Sequence, residues 1–149
     1  MARVKWVKVE GLRQIEEALM NLKRATAKNV ALRALKKAAE PMAADMRARA
    51  PDDPTSAGWD LHTSINIATK ATRGAKHRKL SPVEVLIGPR VRHQQLLEYG
   101  TRRMPPHPYV RPAWDAGKMQ ALEDIKTSMW EEIAEAAKRA ARKEARASK

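Results

Sequence analysis

The 149-residue chain has no cysteine and no phenylalanine. Without thiols, disulfides, thiolate metal sites and cysteine nucleophiles are all excluded. Aromatics make up only 4% of residues, and the 43% that are apolar are rich in alanine. A core built from such a chain is thin in large side chains and calls for partner surface to complete its burial. No run approaches the ~18 apolar residues a membrane span requires, and the N-terminal "MARVKWVKVEG" has no apolar signal core. The expectation is a soluble protein, cytoplasmic where it is made, with no membrane partner. Six glycines are scattered singly, so there is no Gly-rich phosphate loop. Acid is scarce as well: 17 Asp and Glu stand against 30 Lys and Arg, a net charge of +13. That imbalance predicts attraction to a polyanion: nucleic acid, an anionic surface or an acidic protein face.

What is present reads as a small α+β domain. Val4, Trp6, Val7 and Val9 form a short β-branched run ended by Gly11, a strand pattern. Leu12, Ile15, Leu19 and Leu22 recur at helical steps. Leu32, Leu35, Ala38, Ala39, Met42 and Met46 continue the helical pattern after a break placed near Thr26–Asn29. Pro41 predicts a kink or restart within it, and Pro51 a stop before it. "PDDPTSAG" is turn chemistry. Trp59, Leu61, Thr63, Ile65 and Ile67 then alternate as in a half-buried strand, and "VEVLIG", Val83 to Gly88, is a second. The loop between them holds Lys70, Arg73, Lys76, Arg78 and Lys79 and no acid. Together they form a candidate long hairpin. "HQQLLEYG" reads as a short helix closed by Gly100. A long helix follows from about Val110, with Pro112 in its first turn and Trp114, Leu122, Ile125, Met129 and Ile133 on one face. The fold expected is α+β: a small antiparallel sheet with N-terminal helices packed on it and a long C-terminal helix. Residues 1–133 are read as one domain and residues 134–149 as a basic helical tail.

Catalytic constellations are hard to find. None of the four histidines pairs at zinc-site spacing, and no cofactor is implied. Ser64, His93 and Glu98 can be written as a hydrolytic triad, but no nucleophile-elbow pattern surrounds Ser64. The paired carboxylates fall in a turn or on a polar helix face. An enzyme is therefore not the class expected.

The distinctive stretch is "EYGTRRMPPHPYVRPAWD", Glu98 to Asp115. Its prolines fix φ and remove backbone donors, so it can neither pair as a central strand nor relax into a helix. It reads as a stiff arm that aims the last helix, with Gly100 freeing a sharp turn and Tyr99 and Tyr109 as amphipathic anchors. Preordered segments lower the entropic cost of binding. The arm is accordingly expected to matter for assembly more than for folding.

With this block in place, the chain resembles the tail-completion (neck, head–tail joining) proteins of long-tailed bacteriophages, of the minor tail protein Z type. The resemblance also rests on "VKVEGLRQIEEALMNL", "ALRALKKAAEPMAADMRARAP" and "LHTSI", in that order. It covers the chain to about residue 120, with "TSAGWDL" as an apparent insertion. It implies a structural virion protein without catalysis, located in the neck at the top of the tail and in host cytoplasm during assembly. It also implies a homo-oligomeric ring, a hexamer on a sixfold tail, touching head-completion proteins and tail-terminator or tail-tube proteins. On this reading Tyr99, Gly100, Thr101, Arg102, Arg103, Pro105, Pro106, Tyr109 and Arg111 are the candidate subunit and partner contacts. Lys70, Arg73, Lys76, Arg78 and Lys79 are candidates to face packaged DNA in the lumen. The alternative is a non-specific DNA-binding accessory protein.

Overall fold

The computed structural model describes residues 11–51, 61–70, 80–91 and 94–147. The element order is α1 (Leu12–Met20), α2 (Arg24–Arg49), α3 (Leu61–Ser64), β1 (Ile65–Ala68), β2 (Leu86–Pro89), α4 (Gln94–Tyr99) and α5 (Val110–Ala147). β1 and β2 pair antiparallel, Ile65 opposite Pro89 and Ala68 opposite Leu86. This two-stranded sheet, with helices packed around it and a long C-terminal helix, is the α+β arrangement expected. The strand read over Val4–Val9 and the "PDDPTSAG" turn lie outside the described residues, apart from Pro51.

Two helices form the frame. α5 spans 38 residues and α2 spans 26, about 57 Å and 39 Å at 1.5 Å per residue. Arg33 meets Glu132 at 2.6 Å while Met42 lies beside Gly117, so the pair runs antiparallel. Lys37 to Glu131 is a second link between them. Small residues lie along the contact: Ala38 of α2 with Ala113, Ala116, Gly117 and Ala121 of α5, of which Ala38 and Ala113 are buried. Small side chains let the backbones approach, which explains an alanine-rich composition that looked poor as core material.

Large side chains gather at the two ends of this pair. One cluster joins Ile15 and Val30 to Ile133 and Ala136. The other joins Met42 and Met46 to Leu61, Ile65, Tyr109 and Ala113. Arg47 donates from Nε and Nη2 to the Ile65 carbonyl at 3.2 and 3.1 Å, pinning β1 to α2. Ala136 is buried, and α5 continues unbroken from Val110 to Ala147. Beyond Ala136 the described side chains of α5 are exposed.

Several local expectations need correction. The break between the first helices falls at Asn21–Lys23, earlier than Thr26–Asn29, where Leu22 turns back onto the Ile15–Val30 cluster. α2 continues through Pro41, which is exposed. The carbonyl that loses its partner there lies on the solvent side, where water can satisfy it. The stop before Pro51 is as read, with Ala50 extended at φ −62°, ψ 129°. The buried stripe of α2 runs Val30, Ala34, Ala38, Met42, Met46, with Leu32 and Leu35 only partly covered. Leu61–Ser64 is a helical turn rather than strand. Its Ser64 hydroxyl donates to the Leu61 carbonyl at 2.6 Å, and Leu61 and Ile65 are buried at the i, i+4 spacing of a helix. The second strand is Leu86–Pro89, displaced from Val83–Gly88. Trp114 is 54% exposed, so α5 packs through Ala113 and not through Trp114.

Gly117 gives a direct test of the helix contact. A Cβ there would sit 3.5 Å from Met42 Cε, an ordinary van der Waals distance. Gly117→Ala is therefore expected to stabilise the protein by about 0.5–1 kcal/mol through helix propensity, measured by urea unfolding. Ala43→Leu, at a fully buried position, should instead cost about 1–3 kcal/mol by overpacking.

Candidate functional site

Helix α5 begins without a local cap. Its N-cap position is Tyr109, which has no side-chain acceptor to offer the first turn, so the amides there must find partners elsewhere. They find Glu98, the penultimate residue of α4. Glu98 Oε2 accepts from the amides of Tyr109 (2.9 Å) and Val110 (3.0 Å). Oε1 accepts from the Arg111 amide (2.9 Å) and from Arg111 Nε (3.0 Å). The next residue, Pro112, has no N–H to satisfy. One carboxylate thus closes the start of the longest helix and places a negative charge at the positive end of its dipole.

Glu98 is only 6% exposed. Burial by itself would push its carboxyl up. The amides of Tyr109, Arg111 and Val110, with the Arg111 guanidinium, outweigh burial and hold it below its ordinary 4.5. Tyr109 is wholly buried, and its hydroxyl has no hydrogen-bond partner among the described residues. Burial, reinforced by the Glu98 charge, raises the phenol to about 12.

The segment between α4 and α5 is fixed by the same accounting of amides. Gly100 adopts φ 75°. Thr101 and Met104 exchange backbone hydrogen bonds at 2.9 and 3.3 Å, and Thr101 Oγ1 accepts from the Arg103 and Met104 amides at 3.2 and 3.1 Å. The His107 amide donates to the Leu97 carbonyl at 2.8 Å. Pro105, Pro106 and Pro108 have no N–H. Arg111 Nη2 donates to the Glu98 carbonyl at 2.9 Å, and its guanidinium lies 4.7 Å from the centroid of the Tyr99 ring. The arm is stiff because nearly every donor it possesses is used.

The candidate contact residues therefore divide. Thr101, Arg102, Arg103, Pro105 and Pro106 are exposed, as is the Tyr99 ring at 66%. Arg111 spends most of its guanidinium on Glu98 and Tyr99. Tyr109 belongs to the core and offers no surface. Gly100 acts on the backbone. Lys70 is exposed and lines a groove of about 320 Å³ between the hairpin and α4. Arg73, Lys76, Arg78 and Lys79 lie outside the described residues. Of the triad written from sequence, Ser64 is bound to Leu61 and Glu98 caps α5, while His93 lies outside the described residues. The residue that sequence reading missed in this role is Glu98. The available signal was a helix start at Val110 with no Ser, Thr, Asp or Asn before it and an acid in the preceding short helix.

No helix among the described residues is long and apolar enough to cross a membrane. The model of one protein family, HK97-gp10-like, described as "Bacteriophage HK97-gp10, putative tail-component", matches residues 13–100, more than half of the chain. No curated protein and no solved structure matches it.

Proposed function

Because the chain belongs to the HK97-gp10-like family of bacteriophage tail components, we propose that it is a structural protein of the phage neck. In this reading it forms a ring, a hexamer on a sixfold tail, that completes the tail and joins it to the filled head. The observation that carries the reading is the arm. Exposed Arg102, Arg103, Pro105 and Pro106 stand on a backbone locked by Glu98, so docking them costs little ordering entropy. A closed ring needs two different patches on each subunit. Trp114 and Trp130, exposed at 54% and 43% on α5, supply apolar surface for the second.

Arg102→Glu combined with Arg103→Glu separates assembly from folding. Both residues are exposed and form no ion pair among the described residues. The melting temperature should stay within about 1–2 °C of wild type, as expected for surface changes, while head–tail joining in a complementation assay falls at least about tenfold. Normal particle yield from this variant would remove the arm from the interface. Copy number in the virion, by cryo-electron microscopy, tests the ring itself: one or two copies per particle would overturn it.

A second reading, a non-specific DNA-binding accessory protein, is favoured by the +13 charge and by unpaired Lys70, Arg90, Arg102 and Arg103. It requires salt-sensitive DNA binding by the isolated monomer or dimer, with log affinity falling linearly in log salt.

A further inference from the structure

Many cations along the two long helices are ion-paired, though Lys28 and Lys36 of α2 have no ion pair among the described residues. Along α2 and α5, Arg33, Lys118 and Lys126 meet Glu132, Asp115 and Glu123 at 2.6, 2.8 and 2.9 Å. At the hairpin end, Lys70 and Arg90 are exposed and have no ion pair among the described residues. Both line the groove between the hairpin and α4. Glu98 is the one acid among its described lining residues, and each of its oxygens already accepts two bonds. Its charge is matched by Arg111, so the positive charge of Lys70 and Arg90 is left uncompensated.

The rest of the lining narrows the choice of partner. Ile65 and Ile87 pack into the core, and strand alternation turns Asn66, Ala68, Leu86 and Gly88 to the opposite face. That face forms one wall of the groove; Gln94, Gln95 and Tyr99 of α4 form another. We propose that this groove docks an extended acidic segment of a partner protein. Its carboxylates would meet Lys70 and Arg90, its alternate apolar side chains would lie on Leu86 and the Tyr99 ring, and its main chain would bond the Gln94 and Gln95 amides. A phosphate backbone needs only cations, and leaves the apolar wall and the two amides without a role. A cavity of about 320 Å³ also admits a few side chains rather than a duplex. This inference concerns the isolated chain and stands whether or not the ring forms.

The test is fluorescence anisotropy with a short labelled peptide of alternating glutamate and valine, beside a labelled single-stranded oligonucleotide of similar length. Wild type should bind the peptide, with affinity falling as salt rises from about 0.05 to about 0.3 M. Lys70→Glu combined with Arg90→Glu should weaken peptide binding at least about tenfold, with the far-UV circular dichroism unchanged. Lys70→Gln combined with Arg90→Gln, which introduces no repulsion, should give a smaller loss in the same direction. Lys28→Glu combined with Lys36→Glu, the same charge change on exposed residues of α2 outside the groove, should bind the peptide within about twofold of wild type. The proposal is overturned if the peptide does not bind. It is overturned equally if the groove variants bind it as wild type does, or if the oligonucleotide binds more tightly and loses as much in the groove variants.

Discussion

Glu98→Ala should lower the unfolding free energy by about 3 kcal/mol, more than any other single polar substitution on this chain. An ordinary N-cap replacement costs about 1 kcal/mol. Here one side chain serves three amides and a guanidinium, and hydrogen bonds to a charged acceptor each contribute about 1.5–3 kcal/mol. The total is less than their sum because water reaches part of the exposed first turn. The loss should appear in urea unfolding, with amide exchange fastest at Tyr109–Arg111. Glu98→Gln keeps the shape but turns an amide group toward N–H donors, and should cost about 2 kcal/mol. The two variants also differ from wild type in acid. Glu98 has a lowered pKa in the fold, so its stabilisation is fully present above the ordinary 4.5 and is lost as pH falls through the lower folded value. Wild type should therefore lose stability below about pH 4.5, and Glu98→Gln should lack that component. Equal acid slopes for the two proteins would show that Glu98 is not the ionised cap.

Gly100→Ala is the second large effect, expected at about 3 kcal/mol or more, with Gly100→Val worse. Two costs combine. Residue 100 sits at φ 75°, a conformation that costs an L-residue about 1–2 kcal/mol. A Cβ built there would also lie 2.8 Å from the Pro106 nitrogen and 2.9 Å from the Met104 carbonyl oxygen. Both are backbone atoms of a segment held by the Thr101–Met104 and His107–Leu97 hydrogen bonds, so neither can move without disturbing the arm. Gly11 provides the control. It has φ 86°, but nothing lies within 4 Å of its Cβ position, and Gly11→Ala should cost only about 1 kcal/mol. Similar losses at the two sites, in matched thermal or urea unfolding, would show that the contact with Pro106 carries no weight. A larger loss at Gly100 than at Gly11 would mean that Gly100 matters to the fold as well as to the arm's direction. The assembly question falls to Arg102 and Arg103.

Much of this molecule is local in origin and can be read from the sequence. The 3.6-residue recurrence of Leu12, Ile15 and Leu19 announces α1, Pro51 ends α2, Pro112 begins α5, and Gly100 closes α4. Each follows from properties of one residue and its near neighbours: side-chain period, a missing N–H, a permitted positive φ. Alternation around Ile65 and Leu86 likewise indicates an antiparallel hairpin, though not its ends. Leu61 and Ile65 satisfy a helical spacing as well as a strand one, and only the packing of Leu61 beneath α2 decides between them. The tertiary structure alone settles the rest. Alanine stripes are neutral in one dimension and become an interface only when α2 and α5 lie antiparallel. Trp114 and Ala113 are adjacent in sequence, and the helix rotation that buries one exposes the other. Glu98 is the clearest case: its partners lie eleven to thirteen residues away, beyond any local pattern. It caps α5 because three prolines and a left-handed glycine return the chain to it.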